Sequence, residues 1–585
     1  MINSRSYSKD NSSNSFIPSY QGMNGAIATH SNLSATTAFS ILNNDKGNAF
    51  DAAAGAILVE ALVNPQMFGM GGEGVMILKP ANKNPIVLNG NTISPKNFNF
   101  INLVTRGYSE IPEEGILSAG VPSVFSSIFR LLEQYGSLNF ETISAYAKYY
   151  AKNGFPLHSG IINQNKYGLK ALREKFITKW KSSAKLYLDS KNNVPETGSI
   201  FKNKPYADLL DYLSNSEKKL SGSRASKFNK LHDIFYKGDI ANIFLNYSKK
   251  NDGFFQKSDF DNFNTHFEKT ISVKFGDYQL HKTNIWGQGL TSLMLLKLAQ
   301  KQKIKCLDNE KSIHDFTEIL KLVFADREMY FSGKENLKVQ AKHLLDDRYL
   351  NQRLKLITNK AIEQIIPGDP LKNRSSLPLT QDVKPWGAGT VHISIIDKYN
   401  NVISCTPSGG WLRSNEVIKE LGFPMGNRLM TFYLTKPGHV NFIQPNQQPR
   451  TTLSPTLMIN TKEQELFTCG TMGGDAQDQW QSQFLMNYLF AKKPIDISLN
   501  EPRISSDHFP AYFHPHDPNY KQLIVEERFA QFINKLNKRG HRAISSTDWS
   551  EGFILCARKK NKIYDAYADI RSYKSQIFQA QALAW

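Results

Sequence analysis

From Thr390 onward apolar and polar residues alternate, with Val391, Ile393 and Ile395 on one side and Thr390, His392 and Ser394 on the other. A period of two predicts a half-buried strand headed by a threonine. The polar run Lys398, Tyr399, Asn400 and Asn401 predicts a tight turn, and 402–406 a returning strand. Elsewhere the period lengthens. Ala49, Ala52, Ala53, Ala56, Val59 and Leu62 recur at helical spacing, and their small side chains let a helix lie close against a sheet. Helices are also predicted over 123–135, 141–153, 290–299 and 312–332, with His314 near the start of the last as a solvated or capping residue. Strands are predicted over 23–31, as a pair around 271–280, and over 466–471. The last ends in Gly473 and Gly474, and Asp475 then opens a helix that runs to Leu489.

A hairpin centred on Tyr399 sets Thr390 opposite Ser408, each nine positions from the turn. Directly opposed residues in an antiparallel pair have Cβ atoms about 4.5–5.5 Å apart, within reach of a hydroxyl–hydroxyl hydrogen bond. Taken alone, the pair fits an ordinary cross-strand contact better. Gly389 adds the second reading. Without a Cβ it holds backbone conformations that other residues resist, and it leaves its carbonyl open to the Thr390 hydroxyl. Attack there, followed by ester hydrolysis, makes Thr390 a new N-terminus whose α-amine, with a pKa of about 7.7–8.0, serves as its own base.

GTVHISIID, then SCTPSGGW, RTTLSPTLMI at 450–459 and GTMGGD at 470–475 together resemble the γ-glutamyltranspeptidase family of N-terminal-nucleophile hydrolases. GNAFDAAAGAILVEALVNPQMFGMGGEG at 47–74 and ILKLVFADREMY at 319–330 extend the likeness over most of 25–580. The resemblance implies an α/β (α+β) fold, an αββα sandwich, made from a precursor cleaved between Gly389 and Thr390. The large subunit would span 23–389 and the small subunit 390–585, held together as a heterodimer whose further oligomerisation the sequence leaves open. Within the large subunit, lysine-rich helices at about 165–265 read as an added, exposed lobe. A Pro-containing stretch at about 359–389 reads as a mobile linker, and Ser/Asn/Tyr-rich 1–22 as a disordered arm.

The same resemblance implies roles for particular residues. Thr390 is the nucleophile and Ser408 orients its hydroxyl. Gly473 and Gly474 offer backbone N–H groups as an oxyanion hole, a position that a plain tight turn with Asp475 as N-cap explains as well. Thr451 and Thr452 stand where the family places a hydroxyl pair against the substrate. Other positions depart from the pattern. No arginine occurs in SPKNF at 94–98, where the family clamps an α-carboxylate, and Gly410, Arg428 and Thr431 replace the acceptors that hold an α-ammonium. A guanidinium repels a cationic group and pairs with a carboxylate, so Arg428 is expected either to bind a substrate carboxylate or to form a surface ion pair. TPSGGWL, LGFPMGNR and MGGDAQDQW look like a branch that includes oxamate amidohydrolase. The expected activity is hydrolysis of a small carboxylate-bearing amide. The alternatives are a γ-glutamyltransferase or glutathione hydrolase, and a catalytically silent scaffold.

Charge and cysteine content narrow the partners. The formal net charge is +19, but the Lys and Arg are scattered through Asn/Ser-rich segments and no nucleic-acid module accompanies them. No apolar run of membrane-spanning length occurs, and the N-terminal residues lack a secretory pattern, which favours a cytoplasmic protein without membrane or nucleic-acid partners. The four cysteines lack metal or disulfide spacing and read as reduced, mostly buried thiols. GMGGEGVMIL lacks the Lys-Ser/Thr of a phosphate loop. His392 and His439 lack a ligand cluster, and an amine base makes a metal-activated water unnecessary, so neither cofactor nor metal is expected.

Overall fold

A computed structural model describes residues 19–372, 374–375, 389–513, 516–547, 550–575 and 577–585. Two seven-stranded antiparallel sheets among these residues stack face to face. One runs in the order Gln581–Ala584, Gly25–Thr29, Ile393–Asp397, Val402–Ser408, Glu73–Lys79, Ile86–Asn89, His266–Lys269. The other runs Tyr20–Gly22, Ile563–Ala568, Ile554–Lys560, Glu465–Thr471, Thr456–Asn460, Tyr278–Lys282, Ile271–Phe275. Small side chains such as Ala26, Ala28, Ala557 and Ala566 meet between the sheets, which brings the layers close.

Helices cover both outer faces. Asn32–Asn43, Ala49–Val63 and Val124–Tyr135 pack on the sheet that carries Thr390, and Phe140–Asn153 packs on Ala49–Val63. Gly289–Lys301 and Gln477–Leu489 pack on the other, and Glu310–Tyr330 packs against Gly289–Lys301. The result is the αββα sandwich. Ala49–Val63 is buried along its whole length, started by a capping box between Asn48 and Asp51. The helices between Leu169 and Asp261 join the first core through Leu172, Phe176, Leu210, Phe235 and Phe244, so that region is attached by an extensive apolar face.

Three expectations need correction. The Thr390 strand is buried on both faces, because its polar face meets the second sheet instead of solvent: Ser394 Oγ lies 3.2 Å from Thr468 Oγ1. Tyr20–Gly22, expected in a disordered arm, is an edge strand paired with 564–566; 1–18 lie outside the described residues. His314 is neither solvated nor a cap. It is buried, with Nδ1 2.8 Å from His541 Nε2 and Nε2 2.8 Å from Thr358 O. Glu318 completes a group of three possible ligands there, yet the Lys321 ammonium already sits 2.7 Å from that carboxylate. Of the expected linker at 359–389, residues 373 and 376–388 lie outside the described residues.

Candidate active site

The hairpin has the register that the sequence pattern predicts. Ile393 pairs with Cys405, Ile396 with Val402, and Thr390 with Ser408. The Thr390 and Ser408 hydroxyls are 3.2 Å apart, and both residues are buried. Both also reach the carbonyl of Gly389. Thr390 Oγ1 and Ser408 Oγ each lie 2.8 Å from Gly389 O, and the Trp411 indole Nε1–H donates to the same oxygen at 2.9 Å. A carbonyl oxygen held by several donors is prepared for negative charge, which is what attack on its carbon would place there.

The loop after Ser408 reaches this position because two glycine segments pass each other closely. Gly409 and Gly410 have φ of +77° and +62°, in the left-handed region that favours glycine. A Cβ on Gly72, in the turn before Glu73–Lys79, would stand 2.1 Å from Ser408 O. That close approach delivers Glu73 to the site. Glu73 Oε2 accepts from Arg428 Nε at 3.2 Å and Nη2 at 2.9 Å, and Nη2 also lies 3.1 Å from Ser408 Oγ. Burial acts to lower the Arg428 pKa, and Glu73 together with Tyr512 more than offsets it, so the guanidinium stays charged. Arg428 is therefore in an ion pair, but a buried one beside Ser408 and not one at the surface.

Gly473, with φ +113°, lies over Trp480 and opens the turn of Gly474–Ala476. Asp475 anchors that turn, accepting from the Tyr512 backbone N–H at 2.8 Å and pairing with Arg327. Gln288 Nε2 reaches Gly474 O at 3.4 Å, and Trp286 O, two residues earlier, accepts from Thr451 N at 2.8 Å. One turn, 286–288, thus ties the Gly-Gly element to the Thr-Thr element. Thr451 and Thr452 are both buried, and Thr452 Oγ1 has no hydrogen-bond partner among the described residues. Thr431 Oγ1 donates to Arg428 O at 2.8 Å.

The structure therefore brings Gly389, Thr390, Ser408 and Arg428 into direct contact. It links Gly474 and Thr451 through the 286–288 turn, by the Gln288 side chain and the Trp286 carbonyl. Sequence reasoning missed Glu73, Trp411 and Tyr512. A charged residue inside the otherwise apolar GMGGEGVMIL was the available signal for Glu73. Trp411 and Tyr512 carried none, because their contacts depend on a fold that closes over large sequence separations. Arg106, the one arginine near the family's clamp position, is exposed and donates to Asp252 O, away from the site. His392 is a buried neutral imidazole: burial, then His30 and Lys282, hold its pKa well below the usual range. It contacts Ser394 and Thr406.

Among the described residues, no helix is long and apolar enough to cross a membrane. Comparison with known proteins agrees with the fold. The sequence profile of the gamma-glutamyltranspeptidase family matches residues 34–578. The glutathione hydrolase-like YwrD proenzyme of Bacillus subtilis is 26% identical over 85% of this chain and 86% of that protein. The oxamate amidohydrolase proenzyme of Klebsiella pneumoniae is 24% identical over 94% of this chain and 97% of that protein. The crystal structure of a cephalosporin acylase from Bacillus halodurans superposes with a TM-score of 0.82 at 23% identity, covering all of this chain and 99% of the other. A sandwich with a threonine-headed central hairpin, matched by one family profile over nearly its whole length, places this chain in the γ-glutamyltranspeptidase family of N-terminal-nucleophile hydrolases.

Proposed function

We propose that the chain cleaves itself between Gly389 and Thr390 and that the mature protein hydrolyses a small amide bearing a carboxylate. The observation that carries this reading is the Gly389 carbonyl, met by Thr390 Oγ1, Ser408 Oγ and Trp411 Nε1 within 2.9 Å. In the cleavage step Thr390 Oγ bonds to the Gly389 carbon, the Gly389–Thr390 C–N bond breaks, and the hydroxyl proton passes to the departing amine. The resulting ester is hydrolysed by water to a Gly389 carboxylate and a free Thr390. In turnover the Thr390 amine takes the hydroxyl proton, the oxygen attacks the substrate amide carbon, and the Gly473 and Gly474 N–H groups receive the oxyanion. The C–N bond then breaks as the Thr390 ammonium returns that proton to the leaving amine, and water hydrolyses the ester to release the acid and restore Thr390. The large fragment would end at Gly389 and the small one begin at Thr390, with Thr451 and Thr452 against the substrate.

The substrate class rests on two features. The α-carboxylate arginine of γ-glutamyl enzymes has no counterpart at 94–98, and a cation, Arg428, stands where an ammonium would have to bind. The oxamate amidohydrolase likeness over nearly the full chain supports the same direction. Mass spectrometry of the purified protein tests the cleavage. Two fragments, the smaller beginning at Thr390, are expected from the wild type, and a single inactive chain from Thr390→Ala. A stable, fully active intact chain would refute self-cleavage. For the substrate, the matured enzyme should have a higher kcat/KM for oxamate than for glutathione or a γ-glutamyl anilide; the opposite order would make it a γ-glutamyl enzyme.

A further inference from the structure

Arg428 is largely committed. Two of its N–H groups go to Glu73 and one to Ser408, which leaves Nη1 alone without a hydrogen-bond partner among the described residues. A second buried arginine is less occupied. Arg450 is 2% exposed, and although its Nη2 lies 2.9 Å from Glu328 Oε2, its Nε and Nη1 have no hydrogen-bond partner among the described residues. Glu328 is also shared: Tyr433 Oη donates to it at 2.5 Å, and His439 Nε2 lies 3.3 Å away. Tyr512, 1% exposed, lies near both cations. Its ring centre is 6.0 Å from the Arg428 guanidinium carbon and 5.4 Å from that of Arg450, and its hydroxyl, which faces Arg428 and Thr431, makes no hydrogen bond of standard geometry among the described residues.

Buried donors without acceptors are costly to leave unmatched, and this set consists of guanidinium N–H groups and a phenol. Resting on the function proposed above, we infer that Arg450 and Tyr512 form the pocket for the substrate carboxylate, with Arg428 Nη1 on its near side. Arg428 then has a different main task. Charged and neutralised by Glu73, it fixes the Ser408 hydroxyl. The pocket is linked to the reacting groups on two sides, through Arg428 to Ser408 and through the Tyr512 N–H to Asp475 beside Gly474. Thr390 is joined to Tyr512 by a short series of contacts, Thr390 to Ser408, Ser408 to Arg428 and Arg428 to the Tyr512 ring, which favours a small ligand.

Tyr512→Phe removes one donor and keeps the ring, and Arg450→Lys keeps a charge for Glu328 while removing the guanidinium fork. Each variant should still cleave at Gly389–Thr390, which reports folding. In each, kcat/KM for oxamate should fall by about tenfold to a hundredfold, mainly through KM, while neutral oxamide changes by less than about twofold. A parallel loss on both amides would make the two residues structural and overturn the pocket, as would no loss on either. Calorimetry with oxalate reads the pocket without turnover. Wild type should bind it, and both variants should bind it about tenfold or more weakly. If wild type cleaves no amide yet binds oxalate in this residue-dependent way, the proposed activity fails and the pocket stands. If oxalate binds wild type and variants alike, or binds none of them, the pocket is wrong. Should Arg450→Lys fail to fold, Tyr512→Phe alone decides.

Discussion

Of the donors on Gly389 O, the Trp411 indole can be removed while Thr390 and Ser408 remain. Trp411→Phe keeps an aromatic ring of similar shape near Arg428, whose guanidinium carbon is 5.5 Å from the Trp411 ring centre. It removes the indole N–H, and with it a bond to Met67 O, together with part of a fully buried ring system. Because the oxygen gains charge as Thr390 attacks, the lost donor should slow maturation by about 10²–10³-fold. A time course of fragment appearance in freshly purified protein checks this, and cleavage at the wild-type rate would remove Trp411 from the step. At this scale the sequence disclosed Thr390 and Ser408, because local alternation and a symmetric turn determine who faces whom. It did not disclose Trp411 or Glu73, whose roles arise from contacts between segments that only the folded sheet brings together. Arg428 was legible as a cation in an unusual place, but its partner was not, since nothing local marks residue 73 as its neighbour.

At the scale of elements, the periodic segments were the legible ones. The hairpin register, the alanine-rich helix and the strand into Gly473 follow from spacing, and the observed limits differ from the expected ones by about one to three residues. What period could not tell was which environment each face meets. The Thr390 strand has an alternating pattern although its polar face is buried against the second sheet, where Ser394 meets Thr468, and alternation alone does not distinguish that from water. The packing of the glycine turn against the hairpin loop was equally hidden. That packing carries a prediction. A methyl group at Gly72 would have to displace Ser408 O and Gly409 C, which would stand 2.1 and 2.6 Å from it, and both are backbone atoms that cannot swing aside. Gly72→Ala should therefore separate Glu73 from Arg428 and shift Ser408, lowering Tm and blocking maturation together. Unchanged melting with normal cleavage would show that the two turns are free to move apart.

At the scale of the whole molecule, the sandwich interleaves the two parts on either side of Gly389. Strand Gly25–Thr29 lies between Ile393–Asp397 and Gln581–Ala584, both from beyond the proposed cleavage point. Glu73–Lys79 pairs with Val402–Ser408, Tyr278–Lys282 with Thr456–Asn460, and Tyr20–Gly22 with Ile563–Ala568. Every one of these ladders joins the proposed large fragment to the proposed small one, and both sheets contain strands from each. Cutting one peptide bond removes none of them. The seams are buried and apolar, with Ala26, Ala28, Val75, Ile77, Val402 and Ala566 at 0% exposure, so screening of surface charge has little to act on despite the net charge of +19. The matured fragments should accordingly co-elute on size exclusion as one particle in dilute buffer and in 1 M salt, and should separate only in denaturant, in the same transition that abolishes circular dichroism of the folded protein. Once separated, neither fragment has a complete sheet, so each alone should be unfolded or aggregated, and activity should return only when both are refolded together. Dissociation in salt, or a folded fragment on its own, would show that the sandwich is two units docked together and not one interleaved core.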